Sequence, residues 1–359
     1  MNRFMKIFIQ TFGCQANIHD SEIMAGLLME KGHKIMNNEK NADIIILNSC
    51  SVKNSTQSRE FQYIKDNQDK NLFVGGCLTK TVDLREKFPN IKAVFDTNSI
   101  TKINDIIEAE KDTFSKTKET KLNLPVIRKN KNTAIIVIQE GCTNNCSFCA
   151  TKLARGALNS YRIGDIKREL QKAVDGGCRT IYLTGQDTGA YGLDIKTSLP
   201  DLMNELITIE GDYKIRIGMM NPWHAKRIMN DLIEIYHSDK IMKFLHIPVQ
   251  SGSEEVLKHM FRIHTVKNFR EIVSEFRNEF SNITISTDII VGYPTETEED
   301  FQKTLDLMNE IKPEVMNISK YSSRSGTRAS KLKQLNSEII KDRSVRLTEL
   351  YKKNKEIKP

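Results

Sequence analysis

Short apolar runs alternate with amphipathic stretches along most of the chain, and the alternation begins at once. Lys6–Gln10 predicts a strand ending at Thr11-Phe12-Gly13-Cys14. Asp20-Ser21 then predicts an N-cap for a helix running through Glu30, with Met24, Leu27 and Leu28 on one face and Gly32 just past its end. Ile44–Leu47 predicts a second strand ending at Asn48-Ser49-Cys50, and a helix follows across Ser58–Asn67. Leu72-Phe73-Val74 predicts a third strand, ending at Gly75-Gly76-Cys77. Strands and helices in strict alternation over residues 1–110 predict a doubly wound parallel sheet with helices on both faces.

The pattern lapses over residues 111–132, where Lys, Thr and Asn dominate and Pro125 interrupts; this stretch reads as a linker or docking strand. It resumes across 133–330. Strands are expected at Ile135–Gln139, Thr180–Thr184, Lys214–Met219, Lys243–Val249, Thr284–Val291 and Val315–Lys320. Helices are expected near Ile163–Asp175, Leu199–Ile209, Ala225–Tyr236, Thr265–Phe280 and Glu296–Ile311. Six such units in this length fit a partial, open (β/α)6 barrel better than a closed eight-fold one. Residues 331–359 close the chain with one basic amphipathic helix, Leu335–Ile357, and no strand-rich tail. The expected class is α/β throughout.

Composition narrows the setting. With 359 residues, 39% hydrophobic and 28% charged, the chain has the make-up of an ordinary two-domain globular protein. Apolar runs such as Ile44–Leu47 are the length of buried strands, far short of a membrane span, and the N-terminus has no signal-peptide core. We therefore expect a cytoplasmic protein without a membrane partner. In a reducing compartment its seven cysteines are better read as ligands or catalytic groups than as disulfides. The net charge of +8 is uneven: seven basic against two acidic residues over 111–131, and nine against four over 331–359. Such stretches are either solvated surface or a footprint for a polyanion such as RNA.

The chemistry gathers at predicted strand ends, where parallel sheets and β/α barrels bind ligands. Cys14, Cys50 and Cys77 each follow a strand and are flanked by Gly or Ser, so three thiols distant in sequence can meet. Cys142, Cys146 and Cys149 form a C-x3-C-x2-C loop after the first strand of the second region. A structural zinc site wants four ligands, commonly in pairs, and none lies near this loop. Three thiolates suit a cluster of four irons and four sulfides, leaving one iron open. The remaining strand ends carry Gly185, Gln186 and Asp187, whose carboxylate suits an ammonium; Met219 to Pro222; His246 to Ser253, with Gln250 and Ser251 suited to ribose hydroxyls; and Asp288 with Gly292, where a flat base has room. Cys178 matches no ligand position.

These motifs resemble those of the radical S-adenosylmethionine enzymes. Gln10-Thr11-Phe12-Gly13-Cys14-Gln15-x-Asn17, Asn48-Ser49-Cys50-Ser51-Val52 and Gly75-Gly76-Cys77 make the chain similar, over residues 5–330, to the methylthiotransferases of the MiaB and RimO group. Thr151 to Gly156, Gly185 to Gly192 and Met219 to Pro222 resemble the archaeal and eukaryotic branch that modifies N6-threonylcarbamoyladenosine in tRNA. That resemblance implies two [4Fe–4S] clusters: one on Cys142, Cys146 and Cys149 that binds and cleaves S-adenosylmethionine, and one on Cys14, Cys50 and Cys77 that handles sulfur. It further implies a methylthio group delivered to C2 of the adenine at position 37, binding of the tRNA anticodon stem-loop, an electron donor such as a ferredoxin or flavodoxin, and a monomer. Family members commonly end in a small RNA-binding barrel, the TRAM domain, which is not evident here. For RNA contact the reading puts Arg155, Tyr191 and Arg324 near the mouth of the site, and Tyr161, Tyr191, Trp223 and Tyr293 as stacking candidates or ordinary packing. The open alternatives are another tRNA adenosine, a ribosomal-protein side chain, or a non-catalytic metal-binding RNA module.

Overall fold

A computed structural model describes residues 4–51 and 54–356; Val52 and the last residue of the predicted tail helix, Ile357, lie outside them. The chain divides into two compact units, residues 1–142 with 150–184, and residues 143–149 with 185–359.

The first unit contains β1 (Lys6–Thr11), α1 (Gln15–Glu30), β2 (Lys34–Met36), β3 (Ile44–Ser49), α2 (Asn54–Asp66), β4 (Leu72–Gly76), α3 (Leu84–Lys87), β5 (Ala93–Val94) and α4 (Ile103–Ala109). It continues with β6 (Thr133–Val137), β7 (Gln139–Glu140), α5 (Thr151–Arg155), β8 (Asn159–Ser160), α6 (Ile163–Asp175) and β9 (Thr180–Thr184). Its main sheet has the order β2-β1-β3-β4-β5, and all its pairings are parallel. The central strand explains the unbroken apolar run. Ile44 and Ile46 enter one core with Ile23, Met24 and Phe73, while Ile45 and Leu47 enter the other with Ile64, Val74 and Leu78. A parallel strand buried on both faces needs apolar residues at every position, and each such side chain contributes about 1.5–3 kcal/mol of transfer free energy.

One boundary differs from the sequence expectation. Helix α1 starts at Gln15, capped by the backbone of Cys14, whose carbonyl accepts from the Asn17 and Ile18 amides. Asp20 and Ser21 therefore lie inside the helix and are buried. Their polar atoms serve tertiary contacts: Ser21 Oγ sits 2.8 Å from Thr11 Oγ1 and accepts from Asn48 Nδ2 at 2.9 Å.

Residues 111–132 strap across the same unit. Thr113 bridges Phe95, Ile127 N donates to the Glu22 carbonyl, and Lys121 and Leu122 are buried. The strap passes so close to α1 that a Cβ on Gly26 would lie 2.1 Å from the Pro125 carbonyl oxygen. Gly26→Ala is expected to cost about 1–3 kcal/mol through this overpacking, read as a lower thermal midpoint; an unchanged midpoint would show that the strap yields freely.

The second unit contains α7 (Leu199–Leu206), β10 (Lys214–Ile217), α8 (Pro222–Arg227), α9 (Met229–His237), β11 (Phe244–His246), α10 (Glu254–His259), α11 (Val266–Glu279), β12 (Thr284–Val291), α12 (Glu298–Ile311), β13 (Val315–Lys320) and α13 (Ser337–Glu356). Strands β11, β12 and β13 form a parallel sheet with β12 central. The expected helix Ala225–Tyr236 is two helices that break at Ile228, and the first starts at Pro222 because Asn221 Oδ1 caps it by accepting from Trp223 N. Capping boxes at Thr265 and Thr297 begin α11 and α12. No helix among the described residues is long and apolar enough to cross a membrane.

Candidate cluster sites

In the first unit, three adjacent strands deliver the first set of cysteines to one edge. The pairs Thr11↔Asn48, Asn48↔Gly75 and Ser49↔Gly76 bring the ends of β1, β3 and β4 level, so Cys14, Cys50 and Cys77 leave the sheet side by side. Glycine is required at two of these turns. Gly13 has φ +114°, and a Cβ there would come within 3.0 Å of the Cys50 sulfur; Gly76 has φ +98°, and its Cβ would meet the Ser49 carbonyl oxygen at 2.4 Å. Asn17 stands in the middle. Its amide nitrogen donates to the carbonyls of Phe12 and Ser49 at 3.1 and 2.8 Å, which turns Oδ1 towards Cys14 Sγ at 3.6 Å and Cys77 Sγ at 3.8 Å. Glu60 Oε1 accepts from the Cys50 amide at 2.6 Å and fixes that turn. Cys50 and Cys77 are buried and Cys14 is exposed. Burial pushes the Cys77 thiol up from its ordinary range, and the nearby Arg155 guanidinium opposes that rise.

The second set is carried on a loop whose parts are anchored separately. In the first unit, Cys142 N donates to the Gly156 carbonyl at 3.2 Å. Gly141, at φ +75°, leaves no room for a side chain, since a Cβ would lie 1.9 Å from the Ala157 carbonyl oxygen. In the second unit, Cys149 N donates to the Cys146 carbonyl at 3.1 Å. Ser147 pins the loop: its amide donates to the Met260 carbonyl, its carbonyl accepts from Ala329 N, and its hydroxyl sits 2.8 Å from the Tyr293 hydroxyl. Arg262 Nη1 donates to Cys146 Sγ at 3.5 Å and to the Pro248 carbonyl through Nη2 at 2.7 Å. Burial raises the Cys146 thiol while Arg262 counteracts it. Burial prevails, so the free thiol keeps its proton more tightly, and Arg262 supplies the positive charge that a metal-bound thiolate there would face.

The strand-end residues divide by burial. Asp187 does not offer a spare carboxylate for an ammonium: it is buried and accepts from Asn144 Nδ2 at 2.7 Å and Asn221 N at 2.9 Å, with His224 Nδ1 at 2.8 Å. Its contacts hold the loop residue Asn144. Asp187→Asn is therefore expected to loosen the loop and lower iron retention or turnover about 10- to 100-fold, the usual cost of losing an outer-shell partner; iron content after gel filtration and initial rate are the measurements. Ser251 is fully buried, its hydroxyl accepting from Ser253 N within the turn, so it does not present a hydroxyl for ribose. Gly292 cannot cradle a base, because Ile340 of α13 lies where its Cβ would be, at 2.5 Å. Gln250 holds φ +75°, with its backbone paired to Asp288 and Ile290. Gly185 and Gln186 are half-buried at the end of β9.

Asp288 belongs to a polar row across three neighbouring strands: His246 Nε2 lies 3.0 Å from Asp288 Oδ2, and Asn317 Nδ2 donates to Oδ1 at 2.7 Å. Tyr161 and Tyr293 are buried packing, the more ordinary of the two readings offered for them, while the burial of Arg155, Tyr191 and Arg324 corrects the expectation that these three face RNA at the mouth of the site. Trp223 is half-buried. Cys178 is buried, its thiol donating to the Lys131 carbonyl. Sequence reasoning missed Asn17 as an organiser, and missed Glu60, Lys121, Glu140, Asn144 and Arg262; only the C-x-x-N spacing of Cys14 and Asn17 offered a signal.

Residues 136–308 match the Radical SAM superfamily, and residues 6–96 match the Uncharacterized protein family UPF0004. The chain is 42% identical to a probable threonylcarbamoyladenosine tRNA methylthiotransferase of Archaeoglobus fulgidus, over 97% of this chain and 84% of that protein. It is 36% identical to the human threonylcarbamoyladenosine tRNA methylthiotransferase, over 96% of this chain and 62% of that protein. Among solved structures, it resembles the radical S-adenosylmethionine methyltransferase TsrM from Kitasatospora setae, with a TM-score of 0.65 at 11% identity, over 91% of this chain and 77% of that one. At that identity the likeness is one of fold.

Proposed function

Taking as premise that this chain belongs to the threonylcarbamoyladenosine tRNA methylthiotransferases of the radical S-adenosylmethionine superfamily, we propose that it transfers a methylthio group to C2 of N6-threonylcarbamoyladenosine at position 37 of tRNA. The observation that carries this reading is that the chain holds both a C-x3-C-x2-C loop and a second set of three cysteines delivered to one edge of the first sheet, two of them against Asn17. The cofactors are two [4Fe–4S] clusters and S-adenosylmethionine.

Together the bound cofactors supply radical chemistry at carbon and a sulfur to place there, which an aromatic C–H demands because no side chain deprotonates it at neutral pH. The residues supply position. Cys142, Cys146 and Cys149 hold one cluster, and Arg262 supports the Cys146 thiolate. Cys14, Cys50 and Cys77 hold the other in a cradle kept open by Gly13 and Gly76. Gly185, Gln186 and Gln250 present backbone and amide groups to S-adenosylmethionine. The row His246–Asp288–Asn317 offers hydrogen-bonding groups to its polar ends or to the adenine.

RNA contact draws on exposed lysines of both basic stretches, among them Lys116, Lys129, Lys131, Lys352 and Lys353. Lys121 and Arg343 are buried in ion pairs instead. The ligand is the anticodon stem-loop, bound by a cytoplasmic monomer that takes electrons from a ferredoxin or flavodoxin. Nucleoside analysis of tRNA from a deletion strain tests the substrate: loss of the 2-methylthio derivative of threonylcarbamoyladenosine is expected. Unchanged tRNA nucleosides, with a ribosomal protein lighter by one methylthio group, would move the assignment to a protein side chain.

A further inference from the structure

Beneath the first set of cysteines lies a buried ion-pair network that no step above uses. Arg155, the last residue of α5, is 2% exposed. Its guanidinium donates through Nη1 to Glu140 Oε1 at 2.7 Å, and through Nη2 to Asp20 Oδ2 at 2.8 Å and Asn17 Oδ1 at 3.2 Å. Lys121 completes the square, donating to Asp20 Oδ1 at 2.9 Å and Glu140 Oε1 at 2.7 Å. All four charged side chains are at most 2% exposed. Two cations and two carboxylates sum to zero, so the square is electrically closed, yet its charges are not equally placed. Both Asn17 amide hydrogens are spent on backbone carbonyls, which leaves Arg155 as the donor facing the thiols across Asn17 Oδ1. The Cys77 sulfur lies 3.8 Å from that same Asn17 Oδ1, and the guanidinium's positive charge opposes the rise that burial gives its thiol.

Charge buried this deeply is expensive unless it does something that an apolar packing would not. A guanidinium keeps its proton at any accessible pH, and it is clamped here by two carboxylates. It is a fixed positive charge held against a ligand sulfur. Iron–sulfur potentials respond to net charge, to hydrogen bonds to sulfur and to burial, and the site brings a fixed charge and burial together at Cys77.

Resting on the reading that Cys14, Cys50 and Cys77 hold the sulfur-handling cluster, we propose that Arg155 is a positioning residue for that cluster, donating to the Cys77 thiolate and raising the cluster's reduction potential. The Asp20–Glu140–Lys121 frame holds the guanidinium in place. The role is electrostatic and local, so it follows the charge at position 155 more than the side chain's shape.

The test uses the full chain with Cys142, Cys146 and Cys149 replaced by alanine, so that one cluster remains, reconstituted anaerobically and followed by iron content and EPR-monitored redox poising. In this parent, about four irons per chain are expected; an iron-free parent would sink the underlying assignment of the three thiols. Adding Arg155→Met is expected to favour the oxidised cluster at least tenfold, a downward shift of about 59 mV for one electron, while Arg155→Lys returns most of that shift. Glu140→Gln removes an opposing negative charge and is expected to move the midpoint upward. An Arg155→Met protein with full iron and the parent's midpoint overturns the proposal. Should Arg155→Met not take up iron while the parent does, Glu140→Gln decides: a midpoint equal to the parent's overturns it.

Discussion

Cys146→Ala is expected to abolish reductive cleavage of S-adenosylmethionine. The residue is half-buried, its sulfur receives a hydrogen bond from Arg262 at 3.5 Å, and it sits on a loop that Ser147 pins through contacts to Met260, Ala329 and Tyr293. Nothing in this setting replaces the lost ligand. A cluster deprived of one of three protein ligands is expected to be lost or rearranged, with cleavage falling to the level of a protein-free blank. The pinned loop also predicts that the rest of the fold survives, because its anchors do not include the Cys146 sulfur. Chromatographic assay of 5′-deoxyadenosine under reducing conditions, beside a thermal melt, separates the two effects. Cleavage at the parent rate would remove Cys146 from the cluster.

Cys50→Ala is expected to give the opposite pattern: S-adenosylmethionine is still cleaved, but no methylthio group reaches RNA. Cys50 lies in the first unit, its amide held by Glu60 and its sulfur beside Gly13. On the proposed assignment its loss removes a ligand from the sulfur-handling site while Cys146 and Cys149 keep every contact described for them. Iron is expected to fall from about eight to about four per chain, with 5′-deoxyadenosine still formed and methylthiolated nucleoside absent. A Cys50→Ala enzyme that makes full product would contradict the role of the second cluster.

The parts of this architecture that were legible in the sequence are those written in local pattern. Ile44–Leu47 reads as a strand because a strand buried on both faces must be apolar at each position. The cysteines after β1, β3 and β4 mark strand ends because Gly and Ser punctuate them. The C-x3-C-x2-C loop declares itself by spacing alone. What was not legible depends on residues that meet only after folding. Asp20 looked like a helix cap because an Asp-Ser pair before an apolar face is a cap signature. In the structure the backbone of Cys14 begins the helix earlier, and Asp20 turns to Lys121 and Arg155, 101 and 135 positions away. Arg155 looked like an RNA contact at the mouth of the site; its carboxylate partners, Asp20 and Glu140, belong to separate stretches of the chain whose meeting no local pattern declares. Ser251 and Gly292 fitted ligand-facing roles by residue type, but the turn uses one and Ile340 covers the other. Residue type at a strand end thus located the site, whereas burial decided which side chains are free to serve it.

The central claim is that one chain carries out both the radical step and the placement of methylthio sulfur on threonylcarbamoyladenosine. Mass spectrometry of nucleosides after incubating the anaerobically reconstituted protein with threonylcarbamoylated tRNA, S-adenosylmethionine and a reductant tests it most directly. The account predicts that the threonylcarbamoyladenosine peak declines as its 2-methylthio derivative appears, together with 5′-deoxyadenosine. An unaltered threonylcarbamoyladenosine peak, in a sample that loads both clusters and cleaves S-adenosylmethionine, would contradict it.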